Sequence, residues 1–144
     1  MNFVLTQWVD DFDYDGLTNT FSVLGEFCDL AEAQAYLDDS VSRLAVEQLE
    51  EHNSDSLSSW HLMGIEGKER PPWYQVNKGN KVVNRRSFKI GDGSGFNSIY
   101  TYLELIAIPE NVEVDETLFD VVNCGYEVKS YFARRQKSGK QAEA

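Results

Sequence analysis

Phe3-Val4-Leu5-Thr6-Gln7-Trp8-Val9-Asp10-Asp11-Phe12-Asp13-Tyr14-Asp15-Gly16 is the stretch on which the fold turns. Its first seven residues are rich in β-formers, with Phe3, Leu5 and Gln7 on one face and Val4, Thr6 and Trp8 on the other. Four carboxylates then fall within six residues and a glycine closes the run. Thr20-Phe21-Ser22-Val23-Leu24-Gly25-Glu26-Phe27 reads as a second strand. The two strands form an antiparallel hairpin joined by an acidic loop, with Gly25 marking a bulge.

Working outward, Asp29 stands as a helix N-cap, with Glu32 three residues later as in a capping box. Leu30, Ala33, Leu37, Val41, Leu44 and Ala45 recur at spacings of three and four, which predicts a helix to about Glu51 with a break at Asp39-Ser40. Glu32, Asp38, Asp39, Glu47, Glu50 and Glu51 fall mostly off that apolar stripe, on a solvated face. Arg43 and Glu47 are spaced for one helix-surface pair, worth ~0.2–0.5 kcal/mol. Residues 52–56 read as a polar linker and 60–65 as a strand or the close of a short helix.

Pro71-Pro72 break the chain, because a prolyl ring supplies no N–H to a ladder. Residues 73–78 and 81–90 follow as two strands around Gly79-Asn80, a hairpin of type II′. Gly91-Asp92-Gly93-Ser94-Gly95 is a flexible loop; its glycines suit a phosphate cradle, but no Lys-Ser/Thr follows and no clear helix opens there. Residues 99–108 are apolar on nearly every position and make the central strand, stopped by Pro109. Asp115 caps a short second helix with Leu118, Phe119 and Val122 inward and Gly125 past its end. Residues 126–132 are ambiguous, and 134–144 form a basic tail without an apolar anchor, expected to be disordered. The expected architecture is one α+β domain over 1–133: an antiparallel sheet of five to six strands with one long and one short helix, mainly on one face.

At 144 residues and 42% hydrophobic content the chain has material for one real core. Cys28 and Cys124 give neither a disulfide framework nor a zinc spacing, and are expected to be buried, reduced thiols of a cytoplasmic protein. Met1-Asn2-Phe3 lacks the basic start of a signal peptide, and no run is long enough to span a membrane. The net charge of −11 disfavours nucleic acid and anionic lipid and favours cationic partners. Charge is segregated: residues 1–67 sum to −13, 68–90 to +6, 91–127 to −8 and 128–144 to +4.

Asp11, Asp13, Asp15 and Gly16 match the opening of a calcium loop, in which alternating carboxylates converge on one hard cation. The twelfth position, where a bidentate Glu belongs, is Ser22, and strands rather than helices flank the loop. No cofactor is therefore assigned. His52 and His61 stand in no metal or triad spacing and no nucleophile elbow occurs, so the chain is read as a non-enzyme. Two binding readings remain. In the first, Asp10, Asp11, Asp13, Tyr14 and Asp15 join Glu32, Asp38, Asp39, Glu47, Glu50 and Glu51 in an acidic surface that docks on a basic protein partner. In the second, Trp73, Tyr74, Lys78, Lys81, Arg85, Arg86 and Lys89 form a basic aromatic hairpin that tracks nucleic acid. The competing explanation for these bases is that they neutralise the chain's own acids. The sequence leaves the oligomeric state open.

The order strand, acidic turn, strand ending in Leu24-Gly25-Glu26-Phe27, then Asp29-Leu30-Ala31-Glu32-Ala33-Gln34-Ala35-Tyr36-Leu37, resembles small acidic accessory proteins of phages and mobile elements, including anti-CRISPR and antirestriction inhibitors. The resemblance covers the first forty residues and rests on architecture and charge. It implies an inhibitor of a nucleic-acid-processing complex and carries over no individual residue.

Overall fold

The computed structural model describes residues 1–13, 16–55, 59–66, 74–76, 80–94, 97–121 and 128–135. β1 (Asn2–Asp13) and β2 (Gly16–Phe27) are the hairpin expected from the opening stretch. β1 carries Asp10, Asp11 and Asp13 within the ladder, so the acidic segment is mostly strand and not loop. Leu5 faces Gly25 and Thr6 faces Val23, which leaves Leu24 as the extra residue of a bulge. A Cβ at Gly25 would lie 3.1 Å from the Phe27 ring, which would have to give by a few tenths of an ångström to admit it.

α1 (Leu30–Asp55) follows, then β3 (His61–Glu66), β4 (Tyr74–Val76), β5 (Lys81–Gly91), β6 (Ser98–Ile108) and β7 (Phe119–Val121). Five strands form one antiparallel sheet in the order β2-β1-β6-β5-β3. β6 takes the centre, and Thr101 to Ile108 are buried throughout, because a strand flanked and covered on all sides must be apolar on both faces.

Both faces of this sheet bury apolar side chains, and each has its own core. Phe3, Leu5, Phe88, Leu103 and Leu105 pack beneath Ala33, Leu37, Val41 and Ala45 of α1. Val4, Trp8, Phe21, Tyr102 and Ile106 point the other way and are covered by Val114, Leu118, Phe119, Val128 and Phe132. The last two belong to a short helix, α2 (residues 128–135). The long and short helices thus lie on opposite faces, where the sequence suggested mainly one. The alternation in β1 is apolar on both sides, so each side requires a cover.

α1 begins as expected: the Glu32 N–H donates to Asp29 Oδ2 at 3.1 Å. The expected break at Asp39-Ser40 does not occur, because Ser40 is small and fully buried on the stripe of Leu37 and Val41. The helix also runs past Glu51 into the expected linker. Asn53 anchors it there, accepting from Trp60 N at 2.7 Å and donating to Trp60 O at 3.2 Å, while His52 stacks on the Trp60 ring at 4.4 Å.

Three further expectations are corrected. The hairpin of residues 73–78 with 81–90 does not form, because β5 is already flanked by β6 and β3; β4 pairs instead with β7. Asp115 does cap, accepting from Thr117 N, but the helix is a single 3-10 turn, Glu116–Leu118. The chain then extends as β7, which places the Phe119 ring 5.6 Å from Phe21; Val122 and Gly125 lie outside the described residues. Arg134 and Arg135, read as the start of the tail, close α2, and 136–144 lie outside the described residues. The loop after β5 is tied to itself: Asp92 accepts from Ser94 N and Asn97 Nδ2, both at 2.9 Å. These bonds hold the Asp92 carboxyl down at about 2. No helix among the described residues is long and apolar enough to cross a membrane.

Candidate functional site

α1 turns its apolar stripe to the sheet, so its remaining positions must face solvent. All six carboxylates expected there, Glu32, Asp38, Asp39, Glu47, Glu50 and Glu51, are exposed. Glu32, Tyr36, Asp39, Arg43, Val46, Glu47 and Glu50 follow at helical spacing along one outward stripe. Tyr36 and Val46 add exposed apolar area to it, and the Tyr36 ring rests 5.2 Å from that of Phe27. From Glu32 to Glu50 this stripe spans roughly 27 Å at 1.5 Å per residue. Arg43 lies 3.8 Å from Asp39 and 3.5 Å from Glu47, and Arg86 reaches Asp38 at 2.5 Å. Among the described residues no cation pairs with Glu32, Glu50 or Glu51, so negative charge accumulates at both ends of the stripe.

The acids of the opening stretch behave differently. Asp10, expected on the docking surface, is only 2% exposed. It follows Trp8 on the same strand face and accepts from Trp8 Nε1 at 2.6 Å. Burial pushes its carboxyl above the ordinary range, against the lowering effect of the indole bond. Asp10 is therefore removed from the candidate surface. Asp11 is half-buried in β1, Asp13 is the last residue of that strand, and Tyr14 and Asp15 lie outside the described residues. Among the described residues no three His, Cys, Asp or Glu side chains gather as a metal site, and Asp11 and Asp13 stand in strand rather than in a calcium loop.

The basic hairpin set is not brought together. Arg86 reaches over the α1 face to Asp38, whereas Arg85 points to the opposite face, where its Nε lies 3.7 Å from the buried Glu104 carboxylate. Lys89 stands 5.0 Å over the Tyr100 ring, and Lys81 is exposed. A register shift at Val83 moves Val82 off the face it was expected to share with Asn84 and Arg86. Tyr74 enters a different sheet, and Trp73 and Lys78 lie outside the described residues.

Two features escaped the sequence reading. Glu104 is the lone acid in an apolar strand, opposite Thr6 on one side and Arg85 on the other; its isolation is a signal, but its partners follow only from the register. Glu26 gathers Tyr131 Oη at 3.0 Å and Arg135 Nη1 at 2.6 Å, which ties α2 to β2. Burial, reinforced by the Glu26 charge, raises the Tyr131 phenol above its usual range. Beside them a cleft of about 340 Å³ is lined by Asn2, Glu26, Phe27, Cys28, Val114 and Arg135. Cys28, expected to be buried, is an exposed free thiol whose Sγ lies 3.7 Å from Asn2 Oδ1, an amide oxygen and not a base. His52 is engaged with Trp60 and His61 opens β3, so among the described residues neither is hydrogen-bonded to a nucleophile. Comparison with known protein families, with curated proteins and with solved structures finds no match for this chain.

Proposed function

We propose that this protein is a non-enzymatic cytoplasmic inhibitor or adaptor whose acidic α1 face docks on the basic surface of a nucleic-acid-handling protein. The observation that carries this reading is the exposed face of α1: six exposed carboxylates, four of them (Glu32, Asp39, Glu47, Glu50) on the outward stripe, against Arg43 and the reaching Arg86. Such an array steers a cationic surface toward it and sets register, while Tyr36 and Val46 supply apolar contact. The inhibitor sense comes from the resemblance over the first forty residues. The pairs Arg85–Glu104 and Arg86–Asp38 favour self-neutralisation over a nucleic-acid platform. The free Cys28 thiol suits a reducing compartment.

The test is salt-sensitive capture of a basic protein from a native host extract by the full chain, repeated with Glu47→Gln/Glu50→Gln/Glu51→Gln. These residues are exposed, so the triple variant keeps its fold. The parent is expected to capture a basic protein that elutes as salt rises, and the variant to bind it at least ~10-fold more weakly. Equal capture by both proteins, or a gel shift of nucleic acid by the parent at low salt, refutes the reading.

A further inference from the structure

The five-stranded sheet has two end strands, and they are protected unequally. β3 is six residues long and its register slips between Leu62 and Gly64, so it is a short, bulged edge. β2 is twelve residues long, and its register with β1 is unbroken from Gly16 to Val23; the bulge lies beyond, at Leu24. Eight regular residues give a straight edge of roughly 27 Å. From Gly16 to Gly25 the strand carries no proline and no charge, in a chain of net charge −11. Thr18 and Thr20 are exposed and Ser22 is half-buried. Among the described residues no strand pairs with this edge.

We propose that the outer edge of β2 is a homodimer seam, at which two copies of this chain pair antiparallel through residues 16–23. The occupant follows from charge. A cationic partner finds nothing to pair with on this edge and finds it on α1 instead. A second copy of a chain of net charge −11 is repelled at the acidic surfaces and meets no such repulsion where the surface is uncharged, and residues 16–23 are such a place. With the two-fold near Thr20, Thr18 stands opposite Ser22 of the second copy on one face and Asn19 opposite Phe21 on the other, with no like charges opposed. The two-fold runs perpendicular to the sheet, so two five-stranded sheets join and both copies of α1 lie on the same side. The seam stands independently of the docking role of α1.

The test is sedimentation velocity of the full chain at several concentrations. Salt separates this seam from docking on a basic partner. Between about 0.05 and about 0.5 M NaCl the Debye length falls from roughly 14 to roughly 4 Å, which weakens repulsion between two acidic copies. The dimer is expected to strengthen with salt, whereas capture by α1 weakens. Thr20→Lys sets like charges against each other across the seam and is expected to raise the dimer Kd at least ~10-fold with an unchanged circular dichroism spectrum. Thr20→Val is expected to keep the dimer, and Thr18→Lys provides the second charge variant. A monomer under all conditions, a dimer weakened by salt, or a dimer indifferent to both lysine variants overturns the seam.

Discussion

Phe132→Ala tests whether α2 is a structural closure of the second core or a decoration on it. Phe132 is 1% exposed. Its ring stacks on Phe119 at 6.1 Å, meets Tyr131 edge-on at 4.9 Å and lies under the Arg135 guanidinium at 5.2 Å. Truncating a fully buried phenylalanine costs about 3–5 kcal/mol, the transfer of the ring plus the cavity it leaves. The value belongs toward the upper end, since the stacked Phe119 ring itself seats on Phe21 and cannot collapse without opening that contact. Against a typical total of about 5–15 kcal/mol this is a third or more of the stability. At about 3–5 °C per kcal/mol for a chain of this size, the midpoint drops by about 10–20 °C. Guanidinium unfolding and thermal melts followed by circular dichroism measure it, with exposed Lys129→Ala on the same helix expected within about 0.5 kcal/mol of the parent. A loss below about 1 kcal/mol for Phe132→Ala refutes the reasoning, because the second core would then close without α2.

Asn53→Ala removes both bonds that join the end of α1 to the Trp60 backbone; a loss of about 1–2 kcal/mol and faster amide exchange over the last turn of α1 are expected. Asp10→Asn keeps an acceptor for the Trp8 indole and abolishes the buried charge. Because the folded carboxyl is raised above its ordinary value of 3.8, its contribution is fully present below that value and is lost as pH rises through the folded pKa. The advantage of the Asn variant therefore grows as pH rises above 3.8 and levels off above the folded pKa in urea unfolding; a difference independent of pH refutes it. Asp92 runs the other way: with its carboxyl held at about 2, its contribution is present above 3.8 and is lost as pH falls toward 2.

Periodicity made the first half of the fold legible. The alternation of β1, the cap at Asp29 and the stripe of α1 are local patterns, and each corresponds to one element. β6 declared itself as central because an apolar run on both faces can be satisfied only in the middle of a covered sheet. The strand partners were not legible. β4 and β7 are three residues each, too short for any period, and their pairing joins residues far apart in sequence. The expected hairpin at 79–80 failed on a global fact, the prior claim of β3 and β6 on both edges of β5. The second face was legible and was passed over: Val4 and Trp8 are as apolar as Phe3 and Leu5, which already demands two cores. Asp10 is the same lesson at one residue, since it shares the strand face of Trp8, so its burial follows from the alternation.

Part of the charge segregation along the chain is met by internal pairing. The basic block 68–90 supplies β5, which lies between an acidic helix on one face and Glu104 on the other. Arg86 is spent on Asp38 and Arg85 on Glu104, so these two bases of the block turn to the chain's own acids. The same geometry leaves the outward stripe of α1 richer in acid than in base, because its turns face away from β5 and Arg43 alone among its own residues opposes them. It also leaves β2, at the end of the sheet farthest from β5 and β3, as an edge with no charge between Gly16 and Gly25. If both proposed surfaces act as argued, salt works on them with opposite sign: it screens the attraction of α1 for a cationic surface and the repulsion between two copies at β2. Capture of a basic protein that weakens with salt and a dimer that strengthens with it are therefore expected of the same chain, and two slopes of one sign refute the assignment of the two surfaces.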